Sequence, residues 1–242
     1  MEALKAPFRL SNICSAYETA RTKKKTPVAI DGTDGFARYY AMDCLEGQSV
    51  KLIVTYNEDR AKEIFTDYSF FDKNVLYYPA KDILFYSADI HGHTILRQRM
   101  EVLKALIENR ATTIVVSIDA LLNKLIPLEE VKAHILTFQV GESLDFEAIK
   151  KKLISLGYER NDWVDGVGQF AIRGGILDIF PMSSDCPYRV ELWGDEVDNI
   201  RSFDVESQRS IENVDALSVY PAAEMILDED RVAAGIKKID KE

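Results

Sequence analysis

The segment "GQFAIRGGILDIFPMSSDCPYRVELWGDEVDNIRSFDVESQRSI", residues 168–211, carries a strong strand pattern. Apolar residues alternate with polar ones in short runs, and Gly174-Gly175 and Gly194-Asp195 supply turn signals between the runs. Upstream, "HILTFQV" is another strand candidate, and "LDFEAIKKKLISLGY" has the spacing of one amphipathic helix that ends at Gly157. The sequence therefore predicts a smaller α+β domain built mostly of antiparallel strands.

The alternation also predicts which side chains share a face of this sheet. In "YRVELW", Arg189, Glu191 and Trp193 alternate with apolar residues, and in "FAIRGG" Arg173 lies on the face opposite Ile172. Trp and Arg are enriched at binding hot spots, so a surface that carries Arg173, Arg189 and Trp193 favours a protein-interaction site. Scattered surface residues with a snorkelling arginine remain the alternative.

The first half of the chain alternates apolar strands with helical patterns. Strands are predicted over residues 27–30, 51–56, 74–79 and 112–118, and helices over residues 36–45, after an N-cap at Asn57, over residues 94–109 and after a cap at Asp119. Strands separated by helices favour right-handed crossovers and a parallel sheet. The predicted fold class is therefore α/β, with a parallel-sheet domain over residues 1–127, the α+β domain over residues 128–220 and a tail over residues 221–242.

The loop "GTDGFARY" that follows the first predicted strand resembles a phosphate-binding loop, but its residues differ at each position that carries chemistry. With Gly32 and Gly35 in register, Ala37 falls at the second motif glycine, Arg38 at the lysine and Tyr39 at the hydroxyl that holds Mg²⁺. A β-carbon crowds the phosphate, and a phenol does not replace a small Ser or Thr hydroxyl. We expect a degenerate P-loop that serves as a βα turn and does not bind ATP.

Composition argues against several other classes of function. The net charge of -10 disfavours a DNA-binding module, because phosphate contacts come from Lys and Arg. Three dispersed cysteines favour a reducing cytoplasm. No signal peptide is expected, because the first twenty residues lack an apolar core, and no apolar run is long enough to span a membrane. His91 and His93 with Asp89 make a poor metal site, and no catalytic constellation is predicted.

Residues 168–211 resemble the UvrB-like N-terminal region of the bacterial transcription-repair coupling factor family (Mfd), whose pattern is roughly "GEFAVRGGILDIFP…PYRIEFFGDEIESIRxFDxxTQRS". Two upstream segments, "YYPAKDILFYSADIHGHTILRQRMEVLKAL" and "IVVSIDALLNKLIP", resemble the same family, so the likeness covers nearly the whole chain. UvrB itself is the near alternative. The degenerate loop argues against UvrB, and so does a connection over residues 77–99 that is too short and too poor in aromatics for UvrB's DNA-clamping hairpin.

The resemblance implies a non-catalytic module that binds UvrA and recruits nucleotide excision repair to stalled RNA polymerase. Carried over to this chain, the contact residues are Arg173, Arg189 and Trp193, the last commonly Phe in the family. Longer members add an RNA-polymerase-binding domain and a DNA-translocating motor that uses ATP and Mg²⁺. No motor motif occurs here, so no cofactor is expected in this chain. No membrane partner is expected either, and the resemblance implies a bacterial cytoplasmic location. An active UvrB-like NTPase is the rival function.

Overall fold

The computed structural model describes residues 12–24, 27–33, 35–44, 50–81, 91–110, 112–224 and 226. The contacts divide the chain into two compact units. The first unit comprises residues 1–78 and 110–121, and the second comprises residues 79–109 and 122–242. The backbone therefore passes from one unit to the other at three places.

The helices and strands follow in chain order. They are α1 (Asn12–Thr22), α2 (Phe36–Cys44), β1 (Lys51–Thr55), α3 (Glu58–Tyr68), β2 (Val75–Tyr78), α4 (His91–Ile107), β3 (Thr113–Ser117), α5 (Ile118–Leu121), α6 (Leu128–Ala133), β4 (Leu136–Gln139), α7 (Phe146–Ser155), β5 (Glu159–Arg160), β6 (Gln169–Arg173), β7 (Ile176–Ile179), β8 (Tyr188–Trp193), β9 (Glu196–Phe203), β10 (Ser210–Asn213) and β11 (Ala216–Val219).

The first unit contains a parallel sheet in the order β1-β3-β2. The central strand β3 is buried at every position, as its unbroken β-branched run predicts. Helix α3 begins where the sequence predicts, because the Asn57 side chain accepts a hydrogen bond from the Arg60 amide at 2.9 Å. Its apolar stripe then buries Ala61, Ile64 and Tyr68 against the sheet.

Two local predictions for this unit are wrong. Residues 27–30 form no strand in the described part of the chain; Val28 is exposed there, and Pro27 has no amide hydrogen to give to a ladder. The cap of α5 is Ser117 and not Asp119, since the Ser117 hydroxyl accepts from the Ala120 amide at 3.1 Å. Ser117 ends β3 directly before the helix, so it occupies the cap position that Asp119, already inside the first turn, cannot fill.

The second unit is built on a six-stranded sheet in the order β10-β9-β8-β7-β6-β5, antiparallel except between β5 and β6. Strands β4 and β11 form a separate antiparallel pair. This confirms the mostly antiparallel character predicted for the second half. The main core lies on one face of the large sheet and includes Phe138, Leu153, Leu156, Phe170, Leu177, Ile179, Val190 and Ile200.

Gly157 fixes how the chain leaves α7. Its φ of +89° lies in the left-handed region, and a β-carbon there would stand 2.6 Å from the Ala223 β-carbon. The close approach allows the Ala222 amide to donate to the Leu156 carbonyl at 2.8 Å. Ala222 and Ile226 are buried in this core although they lie in the predicted tail; residues 227–242 are outside the described residues.

Helix α4, which the sequence assigned to the first domain, packs within the second unit. Met100 and Leu103 form a buried cluster with Val131 and Tyr220. Arg99, also on α4, is buried, donates to the Pro79 carbonyl at 2.6 Å and pairs with Glu224. These contacts attach α4 to the segment that follows β11. The predicted boundary at residue 127 stays a prediction.

Candidate protein-interaction face

Register places a set of charged side chains on the face of the large sheet opposite the main core. The Gly174-Gly175 turn pairs Arg173 with Ile176, which sets Ala171 opposite Asp178. The next pairing sets Asp178 opposite Arg189. We call this surface the polar face. Its charged and aromatic members include Arg173, Asp178, Arg189, Glu191, Trp193, Glu196 and Arg201.

Asp178 is the centre of the polar face and is only 1% exposed. Its two carboxylate oxygens accept hydrogen bonds from Arg189 Nε at 2.6 Å and Arg189 Nη2 at 2.9 Å. Arg173 Nη2 donates to the same carboxylate at 2.6 Å. A buried carboxylate is tolerated only when it is paired with a cation and hydrogen-bonded. Here two arginines provide both the positive charge and the hydrogen bonds.

Arg189 is held on several sides. Besides Asp178, its Nη2 donates to Gln208 Oε1 at 3.2 Å, and its guanidinium lies 4.7 Å from the centre of the Phe203 ring. The hydrogen bond to Asp178 raises the pKa of Arg189 above its already high ordinary value, so the group remains charged. Its side chain is 16% exposed, whereas that of Arg173 is 49% exposed. Arg173 therefore offers more surface to a partner.

A second ion pair adjoins the first. Arg201 stands directly opposite Arg189 in the β8–β9 ladder and donates to the Glu191 carboxylate. The two opposed arginines are thus each drawn to a different acid, which relieves their repulsion. Three arginines against two carboxylates leave this network with one excess positive charge in a chain of net charge -10. The sequence pattern did not reveal this pair.

Trp193 ends β8 beside the turn at Gly194, and the residue is 84% exposed. The alternation of β8 carries it to the same face as Arg189. Arg173, Arg189 and Trp193 therefore share a face, as the sequence predicts. Their role in binding a partner stays a prediction.

The glycine loop has a different environment in the first unit. Gly32 and Gly35 adopt φ values of +75° and +54°, and α2 begins directly after Gly35. Tyr39 is buried beside Tyr68 and Phe71, and its hydroxyl donates to Asp67 at 2.7 Å. Burial, and then the bond to Asp67, raises the pKa of Tyr39 above its ordinary value.

Ala37 and Arg38, the other two residues of the predicted loop motif, lie in the first turn of α2 and are half-buried. That this loop does not bind a nucleotide stays a prediction.

The described part of the chain gives little support for a metal site or a membrane-spanning helix. Over those residues, no group of three or more His, Cys, Asp or Glu side chains could hold a metal ion. Asp89 and the side chains of His91 and His93 lie outside the described residues. No described helix is both long and apolar enough to cross a membrane.

Comparison with known proteins finds a family model that matches the second half of the chain and relatives that match most of it. The model of the UvrB interaction domain matches residues 136–225. The transcription-repair-coupling factor of Bacillus subtilis (strain 168) is 33% identical over 213 residues, which cover 86% of this chain and 18% of the relative. That of Staphylococcus haemolyticus (strain JCSC1435) is 35% identical over 188 residues, 77% of this chain and 16% of the relative.

A third relative, the transcription-repair-coupling factor of Staphylococcus aureus (strain USA300), is 35% identical over 184 residues, 75% of this chain and 16% of the relative. The chain spans less than a fifth of the length of these relatives. All six strands of the large sheet, including the four (β6 to β9) that carry the polar face, lie within the matched residues. The chain therefore belongs to the transcription-repair-coupling factor family, and its residues 136–225 are a UvrB interaction domain.

Proposed function

We propose that the second unit binds UvrA through the polar face and thereby recruits nucleotide excision repair to stalled RNA polymerase. The observation that carries the proposal is the network of Arg173, Asp178 and Arg189 on the same face as the exposed Trp193. It lies in a UvrB interaction domain, on the face of the sheet that the main core does not use.

The chemistry of the face suits a partner surface with carboxylates around an apolar pocket. Asp178 fixes both guanidinium groups before any partner arrives, so little side-chain freedom is lost on binding. The exposed side of Arg173 and the excess positive charge of the network favour acidic groups. Trp193 is a rigid aromatic that can fill a pocket next to them.

Recruitment would operate through tethering. A longer protein that engages RNA polymerase and moves on DNA would raise the local concentration of UvrA near the lesion. In this proposal the chain itself is not an enzyme. ATP hydrolysis and Mg²⁺ binding belong to the motor expected in the longer family members.

Calorimetric titration of UvrA, from the same organism, into the chain tests the proposal directly. We expect a dissociation constant of about 1 μM or tighter, which corresponds to roughly 8 kcal/mol. An Arg173→Gln variant keeps the two bonds between Arg189 and Asp178. We expect it to bind roughly tenfold more weakly, because a hydrogen bond to a charged partner is lost. Its melting temperature should fall by no more than a few degrees. A folded wild-type chain that does not bind UvrA would overturn the proposal.

We also propose that the loop at Gly32–Tyr39 is structural, and a nucleotide thermal-shift assay distinguishes this from the NTPase alternative. Magnesium-ATP at millimolar concentration is expected to leave the melting temperature unchanged, because Arg38 and Tyr39 occupy the positions of the motif lysine and hydroxyl. A ligand at 100 times its dissociation constant would stabilise the fold by about 2.7 kcal/mol, a shift that the assay resolves. A reproducible rise with ATP but not with AMP would favour the NTPase.

A further inference from the structure

The chain contains two tryptophans, and both are exposed. Trp193 belongs to the polar face. Trp163 lies in the loop of residues 161–167, also in the second unit, and is 65% exposed. Tryptophan is the residue type most strongly enriched at binding hot spots, so an exposed Trp163 calls for an explanation.

The loop of residues 161–167 lies on the same side of the sheet as the polar face. Val164, the neighbour of Trp163, is buried in a small cluster with Ala171, Phe180 and Phe203. Ala171 is paired with Asp178, and the Phe203 ring lies under the Arg189 guanidinium. The loop is therefore anchored to residues that directly adjoin the arginine network.

Specific hydrogen bonds hold this loop in place. The Gln169 side-chain oxygen accepts from the amides of Asp165 and Gly166, both at 3.0 Å. The Asn161 amide donates to the Phe170 carbonyl at 2.9 Å. Trp163 is thus presented from a fixed backbone, and a side chain with two rotatable bonds loses little entropy when a partner covers it.

We propose that Trp163 is a second aromatic anchor for UvrA, so that the binding surface runs from Trp193 across the arginine network to Trp163. The inference rests on the proposed function. Asp162 and Asp165 are exposed on either side of Val164, whereas the network at the centre has an excess of positive charge. The partner surface is therefore an apolar pocket with a basic rim opposite Trp163 and carboxylates opposite the arginines.

Hydroxyl-radical footprinting of the complex, read by mass spectrometry, resolves the two tryptophans. UvrA is expected to protect both Trp163 and Trp193 from oxidation, while the exposed Tyr56 of the first unit keeps its reactivity. In titrations, Trp163→Ala is expected to weaken binding roughly tenfold without changing the melting temperature. Tyr56→Ala is the matched control and should bind like the wild type.

The outcomes separate this inference from the proposed function. Protection of Trp193 alone, with wild-type affinity in Trp163→Ala, overturns the role of Trp163 and leaves the UvrA-binding face intact. No binding of UvrA by the folded wild-type chain overturns both. Protection of both tryptophans together with the affinity loss in Trp163→Ala is the supporting result.

Discussion

Replacing Arg189 with methionine is expected to lower the free energy of unfolding by about 3 kcal/mol, because a buried carboxylate loses its bidentate partner. Asp178 would retain one hydrogen bond, from Arg173, whose other side faces solvent. The methionine keeps an apolar contact with Phe203, so the change removes charge and hydrogen bonds more than packing. Urea unfolding followed by circular dichroism measures the loss.

Two further variants make this result specific. Arg173→Met removes one hydrogen bond from a half-exposed cation, and solvent screening should hold its cost below about 1 kcal/mol. The double variant Asp178→Leu with Arg189→Met removes both buried charges and should recover most of the stability. Equal costs for Arg189→Met and Arg173→Met would show that the two arginines are equivalent and that the buried bidentate pair is not the dominant contact.

Substituting Trp193 with alanine is expected to weaken the binding of UvrA about thirtyfold or more, the equivalent of roughly 2 kcal/mol for a hot-spot aromatic. Trp193 is largely exposed and ends its strand, so stability should change by less than about 0.5 kcal/mol. Binding is measured by calorimetry and stability by thermal unfolding of the same preparations. Affinity loss without stability loss is the signature of a direct contact.

A second substitution at Trp193 tests whether the shape of the aromatic side chain matters for binding. Trp193→Phe keeps an aromatic side chain and is expected to retain most of the affinity. Tyr56→Ala removes a similarly exposed aromatic from the first unit and serves as the matched control. Unchanged binding by Trp193→Ala would place the interface elsewhere. Variants of Arg189 cannot replace this test, because they disturb folding through Asp178 as well as any contact with a partner.

The shared face of Arg173, Arg189 and Trp193 could be predicted because strand alternation and turn residues are local properties of the sequence. The two-residue turn after Arg173 even fixes the pairing that sets Ala171 opposite Asp178. The contact between Asp178 and Arg189 could not be derived in this way. Those strands are joined by a long connection, which leaves their register open in the sequence.

One prediction that depends on long-range packing, the strand at residues 27–30, is wrong. Residues 27–30 have the composition of a strand, but exposed Val28 and Pro27 do not join the described sheet. The amphipathic stripe of helix α4 could pack against either half of the chain, and the sequence alone does not show which. Its assignment to the second unit depends on Val131 and Tyr220, which lie far downstream.

The order of the first sheet has a consequence for synthesis of the protein. Strand β3 lies between β1 and β2 but is the last of the three to leave the ribosome. Until then the two earlier strands lack the one neighbour that both have in the described sheet. Helix α4 emerges in the same interval, before its own downstream partners exist. A nascent chain that pauses before β3 would expose unpaired strand edges, so this interval is when a chaperone has most to protect.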